Sequence, residues 1–583
     1  MRQMIKFSGI LLLSALALPT ASVAKLVKER SLGCGMEATH LAISIAKHEL
    51  FERQRARERR DIRHAAATTG SAASALEVRK VGNVAVVDDD GSLVSEPNPL
   101  DLSNRGIQFK RKKNGVKTSN FGGGVNADRG EQILIGDDET VVIDLEFKFR
   151  FFGKRYNQVF LNSDGNLTFS RGDDSSSDRS LGRFLNGPPR IAPFFDDLDP
   201  SGATGEGGVY VDNQSKLIRI TWFEVPEFDE SNVNTFQVTL HSSGKVTVAY
   251  ETLDALEGVV GVSPGGSDIF NLVDFSTELP LPKKATAVAE RFGLTEQIDD
   301  FAVAKLFLDN FKDDYDILLV WADFNISLGG NTFAYSQTLR NDVKGIGRSI
   351  YDFTALIGGS QRFQTFVQMG DLSRYPSSPS VKFLDSIDSA LSLIAHEAGH
   401  RFLAFPRFLD ADGNVSDLIL GRQLAHWSYF FDSDSSVLEG NDIRDNGDGT
   451  FSTVGAVERY SKFDQYLMGL IAPEEVPDSF YVTDETSNAD RESNPRLSDN
   501  FFGTRVDVSL SQVIAFEGPR DPDWTVAPKT LKTAFLVLGK RGQPVSAASA
   551  AKVRKYRKQW QTFFRQATDG SGKVKTKLKF RKK

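Results

Sequence analysis

Short runs of alternating apolar and polar residues, separated by tight turns, fill the chain between residues 103 and 275. The runs include VVIDLEFKFRFFG, QVFLNSDGNLTFS, KLIRITWFEV and NTFQVTLHSSGKVTVAYETL, with Asp-Gly, Gly-Asn and Ser-Gly pairs at the turns. Alternation with a period of two is typical of strands with one buried face, and short strands joined by such turns favour an antiparallel sandwich. We therefore expect residues 103–275 to form an all-β antiparallel sandwich.

Beyond the sandwich, apolar residues recur at both strand and helix spacing. YDILLVWA at residues 315–322 is typical of a buried strand, and NTFAYSQTLR is predicted to supply an edge strand above a cleft. SALSLIAHEAGHRFLAF predicts a helix from about residue 385 to residue 405, ended by Pro406. AAKVRKYRKQWQTFFRQAT predicts an amphipathic helix with a basic face. The mixture predicts a multidomain protein in which an α+β domain follows the sandwich.

The other segments predict an exported precursor. Arg2 and Lys6 precede the apolar run GILLLSALALP, and ASVA at residues 21–24 is a small-residue cleavage site, so residues 1–24 are predicted to be a signal peptide. Residues 25–102 combine a charged helical pattern with linker-like stretches and are predicted to be a prosegment and linker. We place a catalytic domain at residues 286–480. Residues 481–583 either complete that domain or pack as an accessory region.

Composition restricts the partners and the compartment. The 583 residues are 40% hydrophobic and 25% charged with a net charge of −7, which fits globular domains and gives no indication of nucleic-acid binding. No second stretch of 18 uncharged apolar residues follows the signal, so no stable membrane insertion is expected. One cysteine excludes an intrachain disulfide and favours a bacterial exoprotein, secreted, periplasmic or at the cell surface. The basic tail KVKTKLKFRKK is predicted to be a solvated end, with surface adhesion as the alternative.

The pentapeptide His396-Glu397-Ala398-Gly399-His400 carries the strongest chemical signal. On a helix, residues four apart share one face, so both imidazoles can bind one zinc ion. Glu397 follows the first histidine, where its carboxylate can take a proton from a metal-activated water without binding the metal. The alternative is an amphipathic helix with a buried histidine pair. We predict a zinc site with His396 and His400 as ligands and Glu397 as the catalytic base.

The third zinc ligand has two candidates. A catalytic zinc usually has three protein ligands and one open position. Of the 7 histidines, only His426 lies beyond residue 241 and outside the pentapeptide, so it is the predicted third ligand. Glu458 is the rival, because a glutamate on a downstream helix is the thermolysin-like solution, with Asp464 as its partner. Tyr429 and Tyr460 are candidate donors to an oxyanion, or else core residues.

Three features around residues 385–445 occur together: the zinc helix, a distant histidine followed by Trp427, and a tight turn ending at Gly440. In this combination the segment resembles the metzincin peptidases, and within them the leishmanolysin-like group. The resemblance implies a zincin-type metallopeptidase fold. That group has a methionine in the turn beneath the zinc, whereas this chain has Val437 and Leu438 there, and Pro406 stands where most metzincins have their third histidine.

The predicted sandwich carries motifs of its own: Phe152-Gly153 with Tyr156, NSDGNLTF at residues 162–169, IAPFFDDLD at 191–199 and NTFQV at 234–238. These motifs resemble the β-sandwich module of nidogen-like extracellular proteins, which implies an extracellular matrix or cell-surface partner. Asp196, Asp197 and Asp199 offer oxygen ligands for calcium, and a solvated acidic loop is the alternative. The Asp- and Asn-rich loops at residues 410–414, 432–434 and 442–448 offer the same two alternatives.

Taken together, these features predict a secreted zinc-dependent endopeptidase that acts on a protein or peptide substrate. Zinc lowers the pKa of its bound water towards about 7, and Glu397 removes a proton and returns it to the leaving amine. Cys34 in the prosegment either occupies the open zinc position in a latent zymogen or is inert. The competing functions are an extracellular adhesin or matrix-binding protein with an inactive peptidase-like domain, and a zinc hydrolase of non-peptide substrates.

Overall fold

The computed structural model describes His48 and residues 76–112, 115–173, 179, 181–266, 270–281, 286–328, 332–384 and 386–581. The predicted signal peptide, Cys34 and most of the predicted prosegment lie outside these residues. Among the helices of the described part, none is both long enough and apolar enough to cross a membrane.

The strands are numbered in chain order. In the first half of the chain they are β1 (Glu77–Val81), β2 (Val84–Asp88), β3 (Val94–Ser95), β4 (Gly106–Lys112), β5 (Gly115–Asn120), β6 (Glu131–Ile133), β7 (Thr140–Phe151), β8 (Lys154–Asn162), β9 (Asn166–Thr168), β10 (Arg190–Phe195), β11 (Gly208–Gln214), β12 (Leu217–Val225), β13 (Asn234–His241), β14 (Lys245–Leu253), β15 (Gly258–Ser263), β16 (Asn271–Leu272) and β17 (Val288–Phe292).

The second half of the chain contains β18 (Gln297–Ile298), β19 (Ile317–Ala322), β20 (Tyr335–Thr338), β21 (Arg340–Asn341), β22 (Tyr351–Asp352), β23 (Thr365–Asp371), β24 (Lys382–Leu384), β25 (Asp388–Ser389), β26 (Phe408–Leu409), β27 (Val415–Ser416), β28 (Asn441–Asp445), β29 (Thr450–Ala456), β30 (Ser479–Thr483), β31 (Asn500–Phe502), β32 (Thr504–Val508), β33 (Thr530–Gly539) and β34 (Lys573–Lys575). The helices are α1 (Leu181–Asn186), α2 (Asp300–Asn310), α3 (Ala390–Gly399), α4 (Lys462–Leu467), α5 (Leu510–Glu517) and α6 (Ala547–Ala567).

Two seven-stranded sheets share one apolar core and form the predicted sandwich. Their strand orders are β16-β17-β15-β10-β9-β8-β7 and β5-β4-β14-β13-β12-β11-β6. The long neighbouring strands pair antiparallel, as in β12 with β13 and β13 with β14, whereas β16 and β17 are parallel. Trp222 stacks on Phe236 in the core, with ring centroids 5.0 Å apart. This part of the chain is an antiparallel β-sandwich.

The sandwich continues beyond residue 275, where the sequence predicts its end. β17 pairs with β15, with Val288 opposite Val262, so residues 288–292 belong to the sandwich sheet and not to the domain predicted to begin at residue 286. The boundary was misplaced because the turn-rich residues that precede β17 resemble a linker in sequence, whereas the pairing with β15 is non-local.

A third, mixed sheet has the strand order β1-β2-β33-β19-β23-β20, and β34 also pairs with β33. β2, β33, β19 and β23 are parallel to one another, and β20 is antiparallel to β23. Side chains of β19 alternate: Ile317, Leu319 and Trp321 enter one apolar core, and the residues between them enter another. Helices α3 and α6 cover the first face and α2 the second. Cover on both faces explains why β19 is a continuous apolar run.

The mixed sheet includes segments that the sequence analysis assigned to the prosegment and linker or to the C-terminal region. β1 and β2 lie in the predicted prosegment and linker, yet β2 pairs with β33 in parallel, with Ala85 opposite Leu536. Residues 76–88 are therefore part of the sheet rather than a linker. β33 and α6 come from residues 481–583, so this region completes the same sheet and core.

The predicted edge strand and the predicted zinc helix are both present with different bounds. β20 ends the strand order next to β23, at the edge of the sheet in the described part of the chain. α3 begins at Ala390 rather than near residue 385, because Asp388 and Ser389 pair as a strand with β24. It ends at Gly399, six residues before the predicted end at residue 405.

Candidate metal centre

Helix α3 positions His396 and His400. Ser389 caps its N-terminus, since the Ser389 hydroxyl accepts from the Ser392 amide at 3.1 Å and the Ser392 hydroxyl accepts from the Ser389 amide at 2.7 Å. At the other end, the Arg348 guanidinium donates to the His400 carbonyl at 3.1 Å, where a cation stabilises the helix dipole. The helix is thus fixed at both ends, and its two histidines lie one turn apart on a single face.

A strained loop positions His426. Gln423 and Leu424 have φ angles of 59° and 53°, in the left-handed region that residues with a Cβ rarely adopt. The loop is held by a hydrogen bond from the Trp427 amide to the Leu438 carbonyl at 3.0 Å. Strain of this kind persists only where the surroundings enforce it, and it is concentrated at functional sites.

The three histidines converge through their Nε2 atoms. His396 Nε2 lies 3.0 Å from His400 Nε2 and 3.2 Å from His426 Nε2, and the candidate ligand atoms all fall within 4.8 Å of one another. Two nitrogens bound to one zinc at roughly 2.0–2.1 Å in tetrahedral geometry would lie about 3.4 Å apart. The spacing is therefore close to that of a zinc ligand set.

Backbone carbonyls orient two of the imidazoles. His396 Nδ1 donates to the Val437 carbonyl at 2.9 Å, and His426 Nδ1 donates to the Arg422 carbonyl at 2.8 Å. A carbonyl only accepts, so in each neutral ring the proton is on Nδ1 and the lone pair is on Nε2. Burial lowers the pKa of all three histidines, which keeps the rings neutral near pH 7. His396 and His426 thus present uncharged Nε2 lone pairs to a common point, which His400 Nε2 also faces.

The turn at residues 433–440 lies beneath α3. Its Leu438 packs so closely on Gly399 that a Cβ on Gly399 would lie 2.7 Å from Leu438 Cδ2, so a larger residue there would displace the Leu438 side chain. The Val437 carbonyl that orients His396 comes from the same turn. Val437 and Leu438 are both fully buried.

Asp464 connects the loop, the turn and helix α4. Its buried carboxylate accepts from Trp427 Nε1 at 2.9 Å, from the Ser436 hydroxyl at 2.6 Å and from the Ser461 amide at 2.9 Å. Burial raises the pKa of Asp464 to about 6. Asp464 therefore holds the segment that carries His426, and it does not serve as the partner of Glu458 that the sequence suggested.

Glu458 lies away from the histidines. Its side chain is 49% exposed and lies 3.9 Å from the Arg459 guanidinium. The residue precedes α4, which starts at Lys462 after the Ser461 cap, so Glu458 is not on the expected helix. The described part of the chain contains one cluster of three potential metal ligands, and its members are His396, His400 and His426.

The two candidate tyrosines are core residues with other acceptors. The Tyr429 hydroxyl donates to Asp499 at 2.6 Å, and the Tyr460 hydroxyl donates to the Ala395 carbonyl at 2.6 Å. Tyr460 packs against Gly399 underneath α3, and Tyr429 belongs to a separate apolar cluster. Of the two alternatives that the sequence left open, the structure supports the core role, because both hydroxyls form structural hydrogen bonds.

Arg422 and Glu439 were missed by the sequence analysis. Arg422 Nη2 lies 3.4 Å from His426 Nε2, and Glu439 Oε1 lies 3.7 Å from the same nitrogen. The two side chains form a bidentate ion pair, with Arg422 Nε 3.1 Å from Glu439 Oε2. Burial alone would raise the pKa of Glu439, but the guanidinium holds that pKa below its usual value. No sequence signal marks the pair, because Arg422 and Glu439 meet only through two strained turns.

Glu397 lies beside the cluster on α3 and is only 5% exposed. It is thus placed one residue from the first candidate ligand, as the pentapeptide predicts. His396 is the most accessible of the three histidines, at 9% exposure, against 5% for His400 and 1% for His426.

The carboxylates considered for calcium have different partners. Asp197 pairs with Arg179 at 2.7 Å, Asp199 caps a short helical turn by accepting from the Ser201 amide at 2.9 Å, and Asp196 is buried next to Glu227. The other acidic loops use their carboxylates in turns, as in Asp410, which accepts from the Asn414 amide at 2.8 Å. Calcium at these loops stays a prediction.

Comparison with known proteins concerns the sandwich. Residues 119–296 match the family described as NIDO related. The sandwich is nidogen-like. Nidogen of Drosophila melanogaster is 28% identical over 144 residues, which cover 19% of this chain and 10% of that protein. This chain thus spans about a tenth of the length of that relative. No solved structure matches this chain.

Proposed function

We propose that the protein is a zinc-dependent endopeptidase, with His396, His400 and His426 as the metal ligands. One observation carries the proposal: three neutral imidazoles direct their Nε2 atoms to one point, 3.0 and 3.2 Å apart. Nitrogen lone pairs at this separation repel one another unless a proton or a cation lies between them. In His396 and His426 the ring proton is on Nδ1, so their facing Nε2 lone pairs, 3.2 Å apart, need a cation or an added proton between them. Burial disfavours the charged ring that an added proton would create, and three imidazoles are a common donor set for catalytic zinc.

Glu397 is the proposed general base. A bound zinc would polarise the scissile carbonyl and make a water molecule more acidic. The Glu397 carboxylate, held on the rigid helix next to His396, would take the water proton and return it to the leaving amine. The helix caps and the carbonyls of Val437 and Arg422 keep the participating side chains in place.

Arg422 is the proposed oxyanion donor in place of the two tyrosines. Its guanidinium lies beside His426 Nε2 and carries N–H groups that can stabilise developing negative charge. Glu439 fixes the orientation of this guanidinium and neutralises its charge next to the cation. The edge strand β20, which contacts α3, offers backbone groups for an extended substrate peptide.

The test combines metal analysis with proteolysis. The full chain, which retains β1 and β2, is loaded with zinc, analysed by mass spectrometry and incubated with casein. We expect about one zinc per chain and cleavage of casein. His426→Ala should lose both the metal and the cleavage, whereas Glu458→Ala, the matched control, should keep both.

The Glu397→Gln variant tests the role of the base separately from the role of the metal ligands. This variant should keep the zinc while cleavage falls by roughly 100- to 10,000-fold, the range for loss of general acid–base catalysis. Zinc loss from Glu397→Gln, or zinc retention by His426→Ala, would contradict the assigned roles. Zinc binding without cleavage of casein or of a peptide library would refute the endopeptidase and leave a hydrolase of other substrates.

The sandwich supports a second candidate function, adhesion to an extracellular partner. The match of residues 119–296 to the NIDO-related family favours this function, and the predicted export signal agrees with it. On this alternative the histidine domain would be inactive. Purified chain that binds no zinc but adheres to extracellular matrix extracts through residues 103–292 would favour the adhesin over the peptidase.

A further inference from the structure

The basic C-terminal tail is an ordered part of the mixed sheet rather than a solvated end. β34 pairs in parallel with β33, with Val574 opposite Leu531. The Tyr315 hydroxyl donates to the Lys577 carbonyl at 2.9 Å and accepts from the Lys579 amide at 2.9 Å. The extended tail therefore follows the end of the sheet with a defined register.

Alternation along the tail separates its residues onto two faces. Val574, Thr576 and Leu578 are buried, and the intervening lysines are exposed. A period of two places every second side chain on the same side of an extended chain. Lysines 575, 577 and 579 are consequently presented together.

These lysines line a cleft of about 440 Å³. The charged residues of its wall are Lys532, Arg557, Lys575, Lys577, Lys579 and Asp314. Five cations thus face one carboxylate, and Asp314 is already bonded to Lys532 and, at 3.2 Å, to Lys579. The neutral side chains of the wall, Asn83, Tyr315, Gln561 and Thr576, each carry a polar group, and the volume is within the range of roughly 300–1,000 Å³ that small-molecule sites occupy.

Arg557 supplies an independent observation. Its side chain projects from α6 into the wall and is only 8% exposed. Nη1 donates to the Thr576 hydroxyl at 2.6 Å, whereas the buried Nε has no hydrogen-bond partner, and no carboxylate of the described residues pairs with the guanidinium. Burying a cation without a counter-charge is energetically costly, so an anion bound in the cleft would stabilise the Arg557 guanidinium.

We propose that this cleft binds a compact polyanion that carries two or more sulfate or phosphate groups. Guanidinium and ammonium groups are the side chains that bind such groups most strongly, and their number here exceeds what a single anionic group needs. The neutral polar wall suits the hydroxyls of a sugar or inositol ring. None of the lining residues belongs to the histidine site, so this inference does not depend on the proposed peptidase.

Isothermal titration of the full chain in 150 mM salt tests the proposal with three probes: a heparin-derived tetrasaccharide, inositol hexakisphosphate and inorganic sulfate. We expect at least one of the two polyanions to bind about 100-fold more tightly than sulfate. Preference for the tetrasaccharide would identify a sulfated sugar as the ligand, and preference for the inositol compound would identify a phosphorylated one. Failure of both polyanions to exceed sulfate would overturn the proposal.

Charge reversal localises the binding. Lys575→Glu with Lys577→Glu should weaken polyanion binding at least tenfold and leave the melting temperature unchanged, because both side chains are exposed. The matched control is Lys344→Glu with Lys382→Glu, two exposed lysines outside the cleft, and it should bind as the natural chain does. Equal weakening in both double variants would show diffuse attraction and would overturn the assignment. Neutral Gln replacements at 575 and 577 give the same test if the charge reversals perturb folding.

Discussion

The sandwich and the histidine domain differ in the partners that their buried polar groups have. In the sandwich, the fully buried Arg190 bonds to Asp173 and, at 2.7 Å, to Asn166 Oδ1, and the buried Asp164 accepts from Arg179 at 2.9 Å. Both of these buried charges therefore have a partner supplied by the chain. Such networks are structural, since nothing further is needed to satisfy them.

The histidine cluster lacks that internal balance. His396 and His426 each have a carbonyl on Nδ1, and their Nε2 lone pairs face one another at 3.2 Å. The difference indicates which buried polar group is suited to a ligand: these arginine–carboxylate networks of the sandwich are paired within the chain, whereas the facing lone pairs of the cluster suit the proposed zinc cation. Removal of that cation should therefore lower the stability of the histidine domain and leave that of the sandwich unchanged.

Chelation is expected to produce the largest effect. When zinc is present at about 1,000 times its Kd, its removal costs the folded state roughly 4 kcal/mol. Amides in α3 and in residues 426–440 should therefore exchange hydrogen up to about 1,000-fold faster after treatment with a zinc-selective chelator, while those of β12 and β13 should not change. Hydrogen–deuterium exchange with mass spectrometry measures both regions in one sample.

His426→Ala provides the control for chelation, because a chain without the third ligand should not respond to the chelator. Faster exchange in the sandwich as well would show that the two regions are not independent. A calcium-selective chelator in a parallel sample tests the acidic loops, since faster exchange only around residues 196–199 would support calcium there.

The next largest effect is expected for the Arg422–Glu439 pair. Substitution of its two members should change the affinity for zinc in opposite directions. Glu439→Gln leaves an uncompensated guanidinium next to the cation and should weaken zinc binding by roughly 10- to 100-fold. Arg422→Gln leaves a carboxylate instead and should keep or increase the affinity. Competition with a chromogenic chelator measures both, and Glu458→Gln serves as the control at an exposed carboxylate.

A structural role alone would predict a different result for this pair. If the ion pair served only to hold the loop, both substitutions would weaken zinc binding to a similar degree. Equal losses would therefore contradict the electrostatic account, and they would also remove Arg422 as the proposed oxyanion donor.

Much of the candidate site was predictable because its signal is local. The pentapeptide fixes the spacing of His396, Glu397 and His400 on one helix, and the scarcity of histidine singled out His426. The nidogen-like sandwich was predictable for a similar reason, since alternation and turn residues recur along a continuous segment. Local periodicity carries this information whatever the rest of the fold does.

Non-local pairing explains what the sequence did not predict. β2 pairs with β33 across some 450 residues, and nothing in the short run VAVV indicates this partner. Arg422 and Glu439 meet only because Gln423, Leu424 and Glu439 adopt left-handed conformations, which the burial of their neighbours imposes. The tail is a third example. Its alternation of lysine with Val574 and Leu578 was visible in the sequence, but its high charge led to the prediction of a solvated end instead of a strand.

A more gradual effect, spread over several pH units, concerns Glu290, a buried carboxyl of the sandwich. Burial raises its pKa to about 8, and it accepts from the Phe275 amide at 2.6 Å and from Asn98 at 3.1 Å. Between the ordinary pKa of a glutamate and about 8, the folded state keeps a proton that the unfolded state has lost. The free energy of unfolding should therefore fall by up to about 1.4 kcal/mol per pH unit as pH rises through this window, and level off above it.

Glu290→Gln should remove this part of the pH dependence, because an amide does not titrate in the window. Urea unfolding followed by hydrogen exchange in β15 and β17 at pH 5, 6.5 and 8 measures the slope, and Glu251→Gln, at an exposed position of β14, should retain it. The same slope in the Glu290 variant would mean that the carboxyl is ionised in the folded sandwich. The sandwich would then also hold an uncompensated buried charge, and the contrast with the histidine cluster would be lost.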